Sequence, residues 1–212
     1  MHFNGFRGHR PRMNDVPSIA NAHETFVHIR IIIGMILGIS VSRLVTGMTR
    51  FVQHPGRERP YPVHMAWVVF VLLFIIHFWW FEFSLAKIQS WSFAAYFFLI
   101  IYAGIFAVLA AMLFPDHIDE YNGYRGYFQA RRKWFYSGLL VLFVLDVIDT
   151  LLKGKDYYME LYGWDYPVRQ GLFIAGTTAA LFIRSEKYQT ALVYLALLVQ
   201  IVWIISLFEF LR

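Results

Sequence analysis

Residues Val63 to Ala86, VHMAWVVFVLLFIIHFWWFEFSLA, form the stretch that decides the fold. A helix needs roughly 20 mostly apolar residues to cross a hydrocarbon core of about 30 Å, and this stretch is long enough. It therefore predicts a transmembrane helix. The same stretch carries His77 and Glu82, and ionisable residues inside a span usually have a partner or a function.

Five further apolar runs lie on either side of this one. Together they predict spans at residues 26–52, 63–86, 91–114, 134–152, 167–183 and 188–211. The short connections at 87–90 and 184–187 predict tight antiparallel hairpins, and the polar stretch 115–133 predicts a short interfacial helix. Residues 1–25 are polar and predict a disordered N-terminal tail. The sequence thus predicts an all-α, polytopic integral membrane protein with about six transmembrane helices, in one domain over residues 26–212.

Composition supports the same class of protein. Hydrophobic residues make up 58% of the chain and charged residues only 16%, so the expected surroundings are a lipid bilayer. The net charge of +5 does not indicate nucleic acid, because the basic residues lie in loops between apolar runs. The chain has no cysteine, which excludes disulfides and thiolate metal sites. We expect a multi-pass protein, with the bacterial inner membrane as the preferred location.

Two pairs of segments resemble each other between the halves of the chain. SRLVTG at Ser42 to Gly47 matches DTLLKG at Asp149 to Gly154, and Tyr-Pro-Val opens both the second and the fifth run. One interpretation is an inverted repeat of three plus three helices, as in several transporter folds. The other interpretation is coincidence, because hydrophobic segments are built from few amino-acid types and often match by chance.

Four acidic residues lie inside the predicted spans: Glu82, Asp146, Asp149 and Glu209. We define side A as the membrane face that holds the N-terminus and side B as the opposite face. The second, fourth and sixth spans run from side B to side A, so all four acids fall near side A. Arg30 and Arg169 begin the first and fifth spans at that level, which predicts a cluster of ion pairs. Arg43 lies towards side B and should not pair with the aspartates.

Asp146 and Asp149 are three residues apart and therefore share one helical face, which Lys153 continues. The functional interpretation is a proton or cation site, because close carboxylates raise one another's pKa. The structural interpretation pairs Asp149 with Lys153, and Asp146 with Arg30 or Arg169. Both interpretations remain open at the level of sequence.

His77 lies deep in its span and is a candidate proton relay. Haem bound between helices would need a second histidine at matching depth, and His28 lies at the membrane edge, so we predict no cofactor. A core histidine bonded to Tyr102 or Ser137 is the simpler alternative. No known catalytic or metal-binding motif argues for an enzyme.

Small and basic residues indicate two surfaces. Gly34, Gly38 and Ser42 recur every four residues and predict a helix-packing face. The basic run 131–133 predicts contact with anionic lipid.

These features support two hypotheses of function. The first is a small transporter or channel, in oligomeric form, in which the intramembrane acids bind or relay a proton or cation. The second is a non-catalytic membrane subunit or scaffold that packs against a larger membrane complex. A membrane enzyme acting on lipid or quinone through His77 and the acids is a third class without specific support.

Overall fold

A computed structural model describes residues 17–54, 59–82, 85, 91–152 and 163–210, with the side chains of 17–23 and 208–210 outside that description. Over these residues the chain forms six α-helices and no strand. The helices are α1 Pro17–Gln53, α2 Pro62–Phe81, α3 Phe93–Leu113, α4 Gly123–Leu152, α5 Asp165–Phe182 and α6 Glu186–Phe210. The predicted all-α class is confirmed.

Five of the six helices, all except α5, are long and apolar enough to cross a membrane. The chain is therefore a multi-pass membrane protein. α5 has 18 residues, about 27 Å at 1.5 Å per residue, and its first turns carry Asp165, Arg169 and Gln170. Gln170 at its start bonds to Asp146 of α4, while Ala180 near its end bonds to Arg132 of the same helix. α5 therefore lies antiparallel along most of α4.

The helix boundaries differ from the predicted spans in two places. α1 begins at Pro17 and so includes residues 17–25 of the predicted tail, while residues 1–16 lie outside the described part. α4 begins at Gly123 and continues without a break through Trp134, so the preceding polar stretch contains no separate interfacial helix. Tyr124 and Phe128 are buried. Their aromatic rings extend the core-facing side of α4 back towards its start.

α2 is the central helix, because it buries 56% of its apolar stretch, more than any other candidate span. Its backbone lies close to α1, α3, α4 and α6. Pro62 occupies the first turn, where its missing N–H costs nothing. The fully buried Phe70 and Phe74 both contact the ring of Phe143, and Phe70 also contacts Phe173. This aromatic layer joins α2 to α4 and α5.

Polar side chains satisfy the C-terminal carbonyls of two helices at side B. The buried His64 contacts the Leu113 carbonyl of α3 through Nε2 at 2.6 Å. Arg132 donates to the carbonyls of Ala180 at 2.7 Å and Ile183 at 3.2 Å, at the end of α5. The last carbonyls of a helix have no partner within the helix, so both contacts are stabilising. The prediction of lipid contact is wrong for Arg132, which is only 5% exposed.

The helix packing differs between the two halves of the chain. α1 lies mainly along α3, whereas α4 lies mainly along α5 and α6 packs on α2. The packing therefore lends no support to an inverted repeat, which stays a prediction.

Candidate functional site

Several of the predicted site residues line one small cavity. Its wall is made by α2, the start of α5, the end of α4, and α6; the lining residues are His77, Phe78, Phe81, Glu82, Asp146, Asp149, Thr150, Tyr166, Arg169 and Trp203. The volume that the centre of a water molecule can occupy in this cavity is about 30 Å³. A water molecule needs about 10–15 Å³ by this measure, so there is room for about two.

Asp146 is the centre of a hydrogen-bond network within this wall. Its Oδ1 accepts from the Tyr102 hydroxyl at 2.9 Å. Its Oδ2 accepts from the Tyr166 hydroxyl at 2.8 Å and from Gln170 Nε2 at 2.7 Å. Thr150 in turn donates to the Tyr166 hydroxyl at 2.9 Å. The network joins α3, α4 and α5 around one carboxylate.

The structural interpretation of Asp146 as an ion-pair partner of Arg30 or Arg169 is wrong. Its hydrogen-bond donors are two hydroxyls and one amide instead. The physical reason is position on the helices. Tyr166 and Gln170, which face α4 from one turn apart on α5, occupy the space around the carboxylate.

Arg169 reaches the cavity from α5 and is fixed by α6. Its guanidinium donates to Gln200 Oε1 at 2.7 Å and to Gln170 Oε1 at 3.4 Å. The guanidinium carbon lies 4.9 Å from the centroid of the Trp203 ring and 5.0 Å from that of Phe173. Aromatic faces attract a cation, and the attraction is stronger away from water. Arg169, only 4% exposed, is therefore a positive charge in a fixed position.

Glu82 lies between two cavities. It follows the last residue of α2 as the C-cap, and its backbone N–H bonds to the carbonyls of Phe78 and Trp80. Its side chain is 3% exposed. It lines the main cavity and also a smaller one, of about 10 Å³, that it shares with Arg30 of α1. Glu82 therefore connects the level of Arg30 with that of the aspartates.

Asp149 lies one turn after Asp146 on the same face of α4, and it is 6% exposed. It lines the main cavity next to Thr150. Lys153 lies outside the described residues, as does the side chain of Glu209. The predicted pair of Asp149 with Lys153 thus stays a prediction, as does the role of Glu209.

His77 faces the same cavity from α2. Its ring stacks on Phe74 and tilts against Phe81, with centroids 6.4 Å and 4.6 Å apart. The hydroxyl of Tyr102, one expected partner, donates to Asp146, and Ser137 is exposed. In the described part of the chain, no three histidine or acidic side chains form a group that could hold a metal ion.

The predicted packing face on α1 is only partly used within the chain. A Cβ on Gly34 would lie 3.4 Å from the Trp79 ring, so this glycine packs against α2. A Cβ on Gly38 would meet none of the described atoms within 4 Å, and Ser42 is exposed. The closest approach occurs instead at Gly47, which lies directly against the ring of Phe114. This glycine was missed because it lies outside the four-residue spacing.

Arg43 does not pair with Asp146 or Asp149, as the alternating direction of the predicted spans indicates. Its guanidinium donates to the Phe114 carbonyl and forms an ion pair with Asp116, both at 2.8 Å. These partners directly follow α3, at side B.

Sequence reasoning missed four uncharged members of the site, namely Thr150, Tyr166, Gln170 and Gln200, and named Tyr102 only as a possible partner of His77. The sequence did contain a weak indication of two of them. Gln170 and Gln200 are amides inside predicted spans, and a buried amide needs a hydrogen-bond partner much as a buried charge does. A search for charged residues alone could not find them.

No family model, curated protein or solved structure matches this chain.

Proposed function

We propose that the chain transports or conducts a proton or a cation through the cavity around Glu82, Asp146 and Asp149. A proton is the better fit there, because these side chains do not form a group that could hold a metal ion. The observation that carries this proposal is a space of about 30 Å³ bordered by three acidic side chains within a membrane protein. Such residues in spans commonly mark ion pathways and proton relays.

The balance of charge supports uptake of a positive species. Among the described residues that line the two cavities, Glu82, Asp146 and Asp149 are acidic while Arg30 and Arg169 are basic. If all five are ionised, one negative charge remains in excess. Net negative charge among the lining side chains favours a bound proton or cation.

The test is a flux measurement in liposomes that contain the purified protein and an internal pH dye. We expect a proton gradient to dissipate faster than in protein-free liposomes. Asp149→Asn and Glu82→Gln should each slow this flux by about 100-fold, as when a proton-transferring group is lost. A parallel series with Na⁺ or K⁺ gradients and no pH gradient separates proton from cation movement.

The matched control is Glu120→Gln, which neutralises an exposed carboxylate between α3 and α4, away from the cavity. Its flux should equal that of the unmodified protein at equal insertion. Absence of flux for every ion tried, or equal flux in Glu120→Gln and Asp149→Asn, would overturn the proposal.

One observation favours the second candidate, a structural membrane subunit. Three donors from α3 and α5 satisfy the partly buried Asp146 carboxylate, as expected of an acid that holds helices together. This function predicts a defined complex of fixed stoichiometry after gentle detergent extraction from the native membrane. Recovery of the chain as a stable lone oligomer would contradict it.

A further inference from the structure

A groove on α1 lies well away from the acidic cavity. It has a volume of about 630 Å³ and follows one face of the helix from Met35 to Arg50, with Phe114 of α3 on its other wall. Gly38 and Ile39 are exposed at its apolar end. The spacing of three and four residues along this face keeps the lining side chains in one stripe. The groove is thus a continuous depression along the surface of the helix bundle.

The polar end of the groove lies at the membrane boundary of side B. Arg43 bonds to the Phe114 carbonyl and to Asp116, which directly follow α3. α3 has 21 residues, about 31 Å, so its end coincides with the end of the hydrocarbon core. Arg50 lies about 10 Å further along α1, at the level expected for lipid headgroups. The groove therefore changes from apolar to basic at the membrane depth at which a phospholipid changes from acyl chain to phosphate.

The charges at this end favour an anionic occupant. Asp116 offsets the charge of Arg43, whereas the side chain of Arg50 makes no hydrogen bond or ion pair with the described residues. One positive charge is therefore left over beside Thr46. A second copy of α1 in this groove would bring its own Arg50 to the same place, and like charges repel there. A lipid phosphate has the complementary charge.

We infer that this groove binds an anionic phospholipid, with an acyl chain against Gly38 and Ile39 and the phosphate beside Arg50 and Thr46. The inference does not depend on the proposed transport function. It concerns different residues at the opposite side of the membrane.

The test is native mass spectrometry of the full chain in detergent, with added phosphatidylglycerol or phosphatidylcholine of identical acyl chains. We expect phosphatidylglycerol to bind about fivefold more tightly, the effect of one basic side chain near a lipid surface. Arg50→Gln should abolish this preference. Arg184→Gln removes an exposed charge at the same side, outside the groove, and should retain it.

A second variant tests the apolar end without changing charge. A Cβ at Gly38 meets none of the described atoms within 4 Å, and Gly38 lines the groove, so we expect the Gly38→Leu side chain to extend into the groove and fill it. It should reduce binding of both lipids. Equal binding of the two lipids to the unmodified protein, or loss of the preference in Arg184→Gln as well, would overturn the inference. So would a Gly38→Leu variant that changes from dimer to monomer with lipid binding unaltered, because the occupant would then be a second copy.

Discussion

Replacement of Tyr166 by phenylalanine removes one hydroxyl from the network around Asp146 and little else. The Tyr166 side chain is 7% exposed, and its ring packs against Trp203 with centroids 6.4 Å apart. Phenylalanine keeps that ring. The variant loses a donor to the Asp146 carboxylate at 2.8 Å and an acceptor for Thr150 at 2.9 Å.

The expected cost is about 2 kcal/mol of unfolding free energy. A hydrogen bond between membrane-embedded side chains contributes about 0.6 kcal/mol on average and about 1.7 kcal/mol at most. The bond to the Asp146 carboxylate and the bond from Thr150 are lost, together with a 3.0 Å contact to the Asp146 main-chain carbonyl. The bond to Asp146 lies in the upper part of this range because a carboxylate is a strong acceptor. Thr150 also loses the acceptor for its buried hydroxyl.

The measurement is reversible unfolding in mixed micelles at increasing SDS fraction, followed by circular dichroism. Tyr194→Phe is the control, because Tyr194 is 51% exposed and its replacement should change the unfolding free energy by less than about 0.5 kcal/mol. A double-mutant cycle with Asp146→Asn should show a coupling of about 1 kcal/mol between Tyr166 and Asp146. Strictly additive effects, or equal costs for the Tyr166 and Tyr194 variants, would refute the reasoning.

Two further pairs of variants test the packing of the bundle. Gly47→Ala should destabilise the protein by about 1–3 kcal/mol in the same unfolding assay, because its Cβ would overlap the buried Phe114 ring. Gly38→Ala should be neutral or stabilising by up to about 1 kcal/mol, because alanine favours the helix and no described atom is near; similar losses in both variants would contradict this. Arg132→Met should cost about 2–3 kcal/mol by leaving the last carbonyls of α5 without their donor. The exposed Lys133→Met should change stability by less than about 0.5 kcal/mol, and an equal effect of the two substitutions would show that the cap contributes nothing.

The meeting of Glu82, Asp146 and Asp149 could be predicted from the sequence because it depends only on helix direction. Alternating spans put the ends of α2 and α4 at one face, and Glu82, Asp146 and Asp149 do line one cavity. The alternating direction of the spans also places Arg43 towards the opposite end of the bundle, where it pairs with Asp116. The partners of Asp146 could not be predicted in this way, because they depend on how α5 is rotated against α4. Sequence spacing carries no information on that rotation.

Arg132 illustrates the same limit at side B. It belongs to a basic run beside a tryptophan, a pattern typical of side chains that contact lipid headgroups. In the folded chain the end of α5 lies next to it, and its guanidinium bonds to two carbonyls there. Exposed carbonyls at a helix end are invisible in a sequence, since every residue has one.

The sequence by itself determined that this protein is an all-helical, multi-pass membrane protein and that Glu82, Asp146 and Asp149 meet at one end of their helices. Length and apolarity of each run are local properties, and the bilayer leaves the backbone few alternatives to a helix. Tertiary structure alone decided which neighbours surround each acid, that Gly47 rather than Gly38 receives a neighbouring ring, and that a groove with a basic end remains on α1. These features arise from the rotation and contact of whole helices, which depend on all the side chains at each interface together.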